Sequence, residues 1–227
     1  MGHLTKQVFG EVTGAVGHVV FKNRAGNNYI AMRAEKQKIS TDPVVLARRA
    51  KFALTGKIAQ AINSLPLLKS AWPQTADKKL SRFNEIFQSN YDLIGSVANI
   101  GTITVAPVFG FNIVNAHLTT LADGVQIQTD ALGVNIGVDT GIEKFLVAAG
   151  VVLLQGPTIE GYPQTLVIPF KTIQQNLDLI NPVSLTAQFM GTELFQYDSY
   201  TTKKAFACLI TLNDNGQLVK ASRSVHS

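Results

Sequence analysis

Residues 144–154, KFLVAAGVVLL, and 203–212, KKAFACLITL, are apolar runs dense in Val, Leu, Ile and Phe. Such runs fit strands that build the core of a sheet. The uncharged part of the first, Phe145 to Leu154, is half the length a membrane helix needs. Around them lie further candidate strands, Thr102–Val108, Asn112–Leu118, Val125–Thr129, Gln164–Lys171 and Val183–Phe189, with Gln217–Ala221 a weaker eighth. Asp123-Gly124, Gly156-Pro157, Asn181-Pro182 and Asn213-Asp214-Asn215-Gly216 supply the turns between them. Seven or eight short strands with no helical period between them predict an antiparallel β-sandwich over residues 99–227. Its topology is immunoglobulin-like or jelly-roll, which a strand count does not separate. The disulfide and buried tryptophan of antibody domains are missing, because Cys208 is the only cysteine and the only tryptophan, Trp72, lies upstream.

Residues 41–98 read as two amphipathic helices. Thr41-Asp42-Pro43 is a helix start, with Asp42 able to cap free N–H groups and Pro43 suited to the first helical position. Leu46, Ala50, Leu54, Ile58, Ile62 and Leu65 then recur at helical spacing up to Pro66. A second helix is expected between Asp77 and Tyr91, with Leu80, Phe83, Phe87 and Tyr91 on one face and Lys78, Lys79 and Arg82 as its basic residues. Joined by a proline-containing turn, the two would form a helical hairpin, with Trp72 a packing residue.

Residues 1–40 read as a glycine-rich basic arm. His18–Lys22 and Tyr29–Arg33 flank Asn23-Arg24-Ala25-Gly26-Asn27-Asn28, a β-hairpin signal. Gly10, Gly14 and Gly17 suggest a backbone lying close against another surface. No Gly-Lys-Ser/Thr follows them, so they are not a phosphate loop. An arm of this kind buries little by itself and is expected to be completed by a neighbour. The mainly β fold predicted overall is therefore a sandwich preceded by a β-hairpin arm and a helical hairpin.

Charge divides the chain of 227 residues. The first hundred residues hold 14 basic and 6 acidic side chains, net +8; the remainder hold 6 and 9, net −3. Lys22, Arg24, Arg33, Lys36, Lys38, Arg48, Arg49, Lys51 and Lys57 stand against Glu35 and Asp42 alone. The first eight of these are the candidate contacts for a polyanion or a neighbouring subunit, and salt is expected to weaken that attraction. With 46% apolar and 15% charged residues the chain is not disordered. The opening MGHLTKQVFGEV lacks the basic-then-apolar order of a secretory signal, so a soluble product made in a cytoplasm, without a membrane partner, is expected.

Catalytic constellations are sparse. His3, His18, His117 and His226 are scattered and lack zinc-ligand spacing. Asp123, Asp130 and Asp139 do not match a calcium loop, and Cys208 sits in an apolar run that would make its thiol inert. A sandwich-fold hydrolase would require a pocket joining His117 to carboxylates. The sequence assigns no catalytic, cofactor or metal residue, and no RNP, KH or zinc pattern marks a sequence-specific nucleic-acid reader.

The N-terminal stretch carries a pattern: Gly10, Gly14 and Gly17; the apolar strand Val19 to Phe21; the basic turn Arg24 to Gly26; Arg33; the helix start Thr41 to Pro43; and Arg49 to Phe52. On these residues the first 70 or so positions resemble a family of uncharacterised proteins from Bacteroidota and the phages that infect them. The chain departs from that pattern at Arg33-Ala34 and at Thr41-Asp42-Pro43. The resemblance implies an immunoglobulin-like β region downstream and no activity. It implies a structural role, with phage virion proteins as context. The expected function is a non-enzymatic virion subunit, capsid or head-associated, synthesised in a host cytoplasm. It would assemble as a homo-oligomer through the arm, touch other virion proteins and contact nucleic acid nonspecifically. The alternative is a bacterial immunoglobulin-like interaction module with a basic appendage.

Overall fold

The computed structural model describes residues 2–3, 13–24, 27–33, 40–72, 81–96, 100–107, 110–133 and 137–227. The chain divides into two compact units, Met1–Asp42 and Pro43–Ser227.

The first unit is a four-stranded antiparallel sheet. Its strands are β1 (Gly2–His3), β2 (Gly14–Val16), β3 (Val19–Arg24) and β4 (Asn27–Met32), in the order β1-β4-β3-β2. The predicted hairpin is present, but its strands run closer to the turn than Asn and Arg at these positions suggested. Asn23 pairs with Asn28 and Arg24 with Asn27, and Asn23 Nδ2 donates to Asn28 Oδ1 at 2.8 Å. Beyond the far end of the ladder, Arg33 N–H donates to His18 O at 2.7 Å. Gly17 adopts φ +58° in the two-residue turn from β2 to β3, a conformation that costs a Cβ-bearing residue strain. A Cβ added at Gly14 or Gly17 meets nothing within 4 Å. Turn geometry therefore explains Gly17; Gly14 lies in β2 itself at φ +132°, and Gly10 lies outside the described residues.

The second unit holds α1 (Pro43–Ser64), α2 (Pro66–Ala71), α3 (Arg82–Tyr91), β5 (His117–Thr120), β6 (Gly124–Thr129), β7 (Phe145–Pro157), β8 (Thr165–Lys171), β9 (Gln175–Asn176), β10 (Val183–Gln188), α4 (Thr192–Asp198), β11 (Tyr200–Leu212), β12 (Leu218–Ala221) and β13 (Val225–His226). One sheet runs β10-β6-β5. The other runs β12-β11-β7-β8, with β9 added to β7 and β13 to β11. All these strand pairings are antiparallel, so the predicted mainly β sandwich is the fold.

Parity along the two long strands explains their unbroken apolar sequence. Leu146, Ala148, Val152 and Leu154 of β7, with Ala205, Ala207 and Leu209 of β11, face Val125, Ile127, Val183 and Leu185 of the smaller sheet. Val147, Ala149, Val151 and Leu153, with Phe206, Cys208 and Ile210, face Leu54, Ile58, Ile62, Leu68, Trp72 and Ile86 of the helices. The larger sheet is buried on both faces, so both residue parities must be apolar. The helices thus form a third layer on the sandwich.

Several elements differ from expectation for local reasons. The stripe on α1 is buried only from Leu54 onward; Leu46 and Ala50 are exposed. Pro66 opens the short helix α2 at its first position, so the connection is not a simple turn. The helix expected from Asp77 begins at Arg82, where Ser81 Oγ accepts from Asn84 N at 3.4 Å; residues 77–80 lie outside the described residues. No strand forms at 102–107. There Asn90 of α3 substitutes for a paired strand: its Oδ1 accepts from Thr104 N at 2.8 Å and its Nδ2 donates to Thr104 O at 3.0 Å. Val105 N donates to Ser224 Oγ at 2.9 Å and Val105 O accepts from Trp72 Nε1 at 3.0 Å. That segment is an extended loop whose apolar residues Ile103 and Val105 are buried. The strand expected over 112–118 begins at His117. Among the described residues no helix is long and apolar enough to cross a membrane.

Tyr197 of α4 ties that helix to the smaller sheet. Its hydroxyl proton is shared between Leu121 O at 2.8 Å and Gly124 O at 3.1 Å. Burial, helped by the negative charges of Asp198 and Asp123 and opposed by a hydrogen bond to Thr120, pushes its phenol from 10.0 up to about 12. The fold thus favours the neutral phenol. The stabilisation is fully present below pH 10 and is lost as pH rises towards about 12. Tyr197→Phe is expected to cost about 1 kcal/mol at pH 7 and to soften the alkaline loss of stability, as read by urea titrations between pH 8 and about 11.

Candidate assembly surface of the N-terminal unit

Side chains of directly paired residues in antiparallel strands share a face. Val16 pairs with Val19 and Val19 with Met32; Gly14 pairs with Phe21 and Phe21 with Ile30; Asn23 pairs with Asn28. Among the described residues, one face of the first unit is therefore Val16, Val19, Phe21, Ile30 and Met32 with two asparagines at its end, and none of these side chains is ionisable. The opposite face carries Ala15, Val20 and Ala31, then Lys22 paired with Tyr29. None of the residues 13–23, 28–33 and 40–42 is buried. Val16 and Met32 are 71% and 74% exposed. Among these residues neither side of the sheet is fully buried, whereas a sheet is normally stabilised by a second layer.

The eight basic candidates are distributed over both units of the chain. Lys22 lies exposed on β3, Arg24 occupies the last position of that strand, and Arg33 is exposed just after β4. Lys36 and Lys38 lie outside the described residues. Arg48 and Arg49 are exposed on α1, in the other unit. Lys51 is engaged: its ammonium stands 4.5 Å from the centre of the Tyr91 ring, a cation–π contact that holds α1 against α3. Lys57 is engaged too, its Nζ donating to Thr165 O at 2.7 Å. The run of positive charge in the sequence thus divides into three candidates on the first unit, two outside the description, and three on the helical layer, of which Lys51 is a packing residue.

His117, Asp130 and Ser184 line one shallow depression of about 290 Å³ with Asn115 and Gln128. Their arrangement is not that of a hydrolytic triad. His117 pairs with Gln128, which pairs with Ser184, so two strand spacings, about 10 Å of backbone, separate the imidazole from the hydroxyl. Ser184 Oγ accepts from Gln126 Nε2 at 3.3 Å, and Asp130 Oδ2 accepts from Asn115 Nδ2 at 2.8 Å. A groove of about 950 Å³ beside α2 is lined mainly by apolar residues, among them Leu65, Leu67, Val147, Leu212 and Leu218, with Lys171 as its one cation.

Two further groups are structural. Glu143 is buried and its Oε1 lies 2.9 Å from Lys220 Nζ while accepting from Asp139 N at 2.8 Å. Lys220 Nζ also donates to Gly137 O, so the pair clamps the segment before β7 onto β12. Cys208 is fully buried, and burial pushes its thiol up to about 12, the protonated and unreactive form. Among the described residues no three His, Cys, Asp or Glu side chains gather as metal ligands. The alternation Val19-Phe21 against Ile30-Met32, which singles out the N-terminal sheet, is legible in the sequence once the hairpin register is known. No protein-family model matches the chain, and no curated protein matches it.

Proposed function

We propose that the chain is a non-enzymatic structural subunit that assembles with its own copies through residues 1–42. The observation that carries this reading is the first unit itself: a four-stranded sheet with no buried residue among those described, beside a second unit whose two cores draw every member from residues 54–221. A layer without a core gains order by docking, and a body complete in itself serves as a rigid block. The context of a virion, as a capsid or head-associated subunit touching other virion proteins, rests on the resemblance of the first 70 or so residues. Lys22, Arg24, Arg33, Arg48 and Arg49 supply positive charge for nonspecific contact with nucleic acid or with an acidic subunit surface. Light scattering after size exclusion, on the full chain and on residues 43–227, tests assembly. The full chain is expected to form oligomers and the shorter chain monomers. A full chain that stays monomeric overturns the reading and favours a simple interaction module.

A further inference from the structure

Resting on that reading, we infer that the face formed by Val16, Val19, Phe21, Ile30 and Met32 is covered by the same face of a second copy, sheet against sheet. Register places these five side chains together, and the most exposed of them, Val16 and Met32, lie in the same cross-strand row. The second copy follows from the proposed reading, and charge selects its orientation. Residues 1–42 hold six basic and three acidic side chains, so two copies repel wherever their charged surfaces meet. The apolar face is the orientation in which two copies approach while Lys22 points away from the contact on each. Sheets stacked about 10 Å apart with interdigitated aliphatic side chains are also how this chain builds the core between its two body sheets.

The five side chains expose roughly 400 Å² per copy, about 800 Å² in all, which is the size of a weak or transient contact. The contact is therefore weak, with a dissociation constant in the micromolar range or above. Its salt dependence has a definite sign. Screening the positive charge of both copies strengthens an apolar contact between them, whereas a polyanion or an acidic surface bound by the same basic residues is released by salt.

Sedimentation velocity of the full chain, from about 1 to about 100 µM and at low and high salt, reads all of this. The wild type is expected to associate with rising concentration and more strongly at high salt. The variant V16K/M32K places two exposed charges on the apolar face and is expected to raise the dissociation constant at least about 100-fold. Lys22→Glu, on the other face, is expected to leave association intact or strengthen it. If V16K/M32K associates like the wild type while residues 43–227 are monomeric, the face is wrong and assembly through the first unit survives. If residues 43–227 associate like the wild type, assembly through the first unit falls as well, and with it this inference. Dissociation of the wild type by salt also overturns the apolar face.

Discussion

Gly150→Ala is expected to destabilise the protein by about 3 to 4 kcal/mol, although the substitution adds a single methyl group. Gly150 sits in β7 opposite Ala207 of β11 and Phe170 of β8, in the middle of the larger sheet. A Cβ there would stand 2.0 Å from Phe206 O and 2.8 Å from Ala207 Cα, both backbone atoms. Backbone cannot rotate away as a side chain would, so the strands must separate by at least about 1 Å, with layers packed on both faces resisting the shift. The expected cost is about 3 to 4 kcal/mol, the upper end for overpacking, because ladder hydrogen bonds break as well. That is a large part of the 5–15 kcal/mol typical of a domain. Gly56→Ala is the matched control. Gly56 lies inside α1 with nothing within 4 Å of an added Cβ, so it is expected to stabilise by about 0.5 to 1 kcal/mol. Urea denaturation of both variants reads the two signs. A wild-type midpoint for Gly150→Ala would show that β7 and β11 are not packed as described.

On the proposed reading, removing residues 1–42 is expected to abolish self-association and to leave the rest of the chain folded. Among the described residues, every fully buried member of the helical core and the inter-sheet core lies within 54–221, so the truncation removes none of them. The change in unfolding free energy of residues 43–227 is expected to stay within about 0.5 kcal/mol, as for surface changes. Association should fall at least about 100-fold in affinity, since the proposed contact face has gone. Denaturation by urea and mass by light scattering separate the two effects. A truncated chain that unfolds would show that the first unit braces the body; one that still associates would place the interface elsewhere.

How far the sequence revealed this depended on whether one element or several decided a residue's surroundings. The runs at Phe145–Leu154 and Ala205–Leu212 were legible as strands because chain-local composition suffices for that. Their burial on both faces was not, since it depends on the helices packing over Val147, Val151 and Phe206. Thr102–Val108 looked like a strand because Ile103 and Val105 alternate with polar residues. What lies beside 102–107 is the amide of Asn90, which satisfies Thr104 as a neighbouring strand would. The helix at Thr192–Asp198 is two turns long, too short for a helical period to stand out. In the sequence the basic stretch from Lys22 to Lys57 is one feature because charge is counted along the chain. Folding divides it between the two units and sends Lys51 onto the Tyr91 ring and Lys57 onto Thr165 O. The hairpin was legible; the uncharged face it carries needed the register, because a one-residue shift would exchange Val19 and Phe21 for Val20 and Lys22.

Amide hydrogen exchange followed along a dilution series of the full chain tests most directly whether the first unit is ordered by its copies. Protection of the amides in Val19–Arg24 and Asn27–Met32 is predicted to rise with protein concentration, while β7 and β11 exchange at one slow rate throughout. Protection of those two hairpin strands that is the same at every concentration would contradict the account.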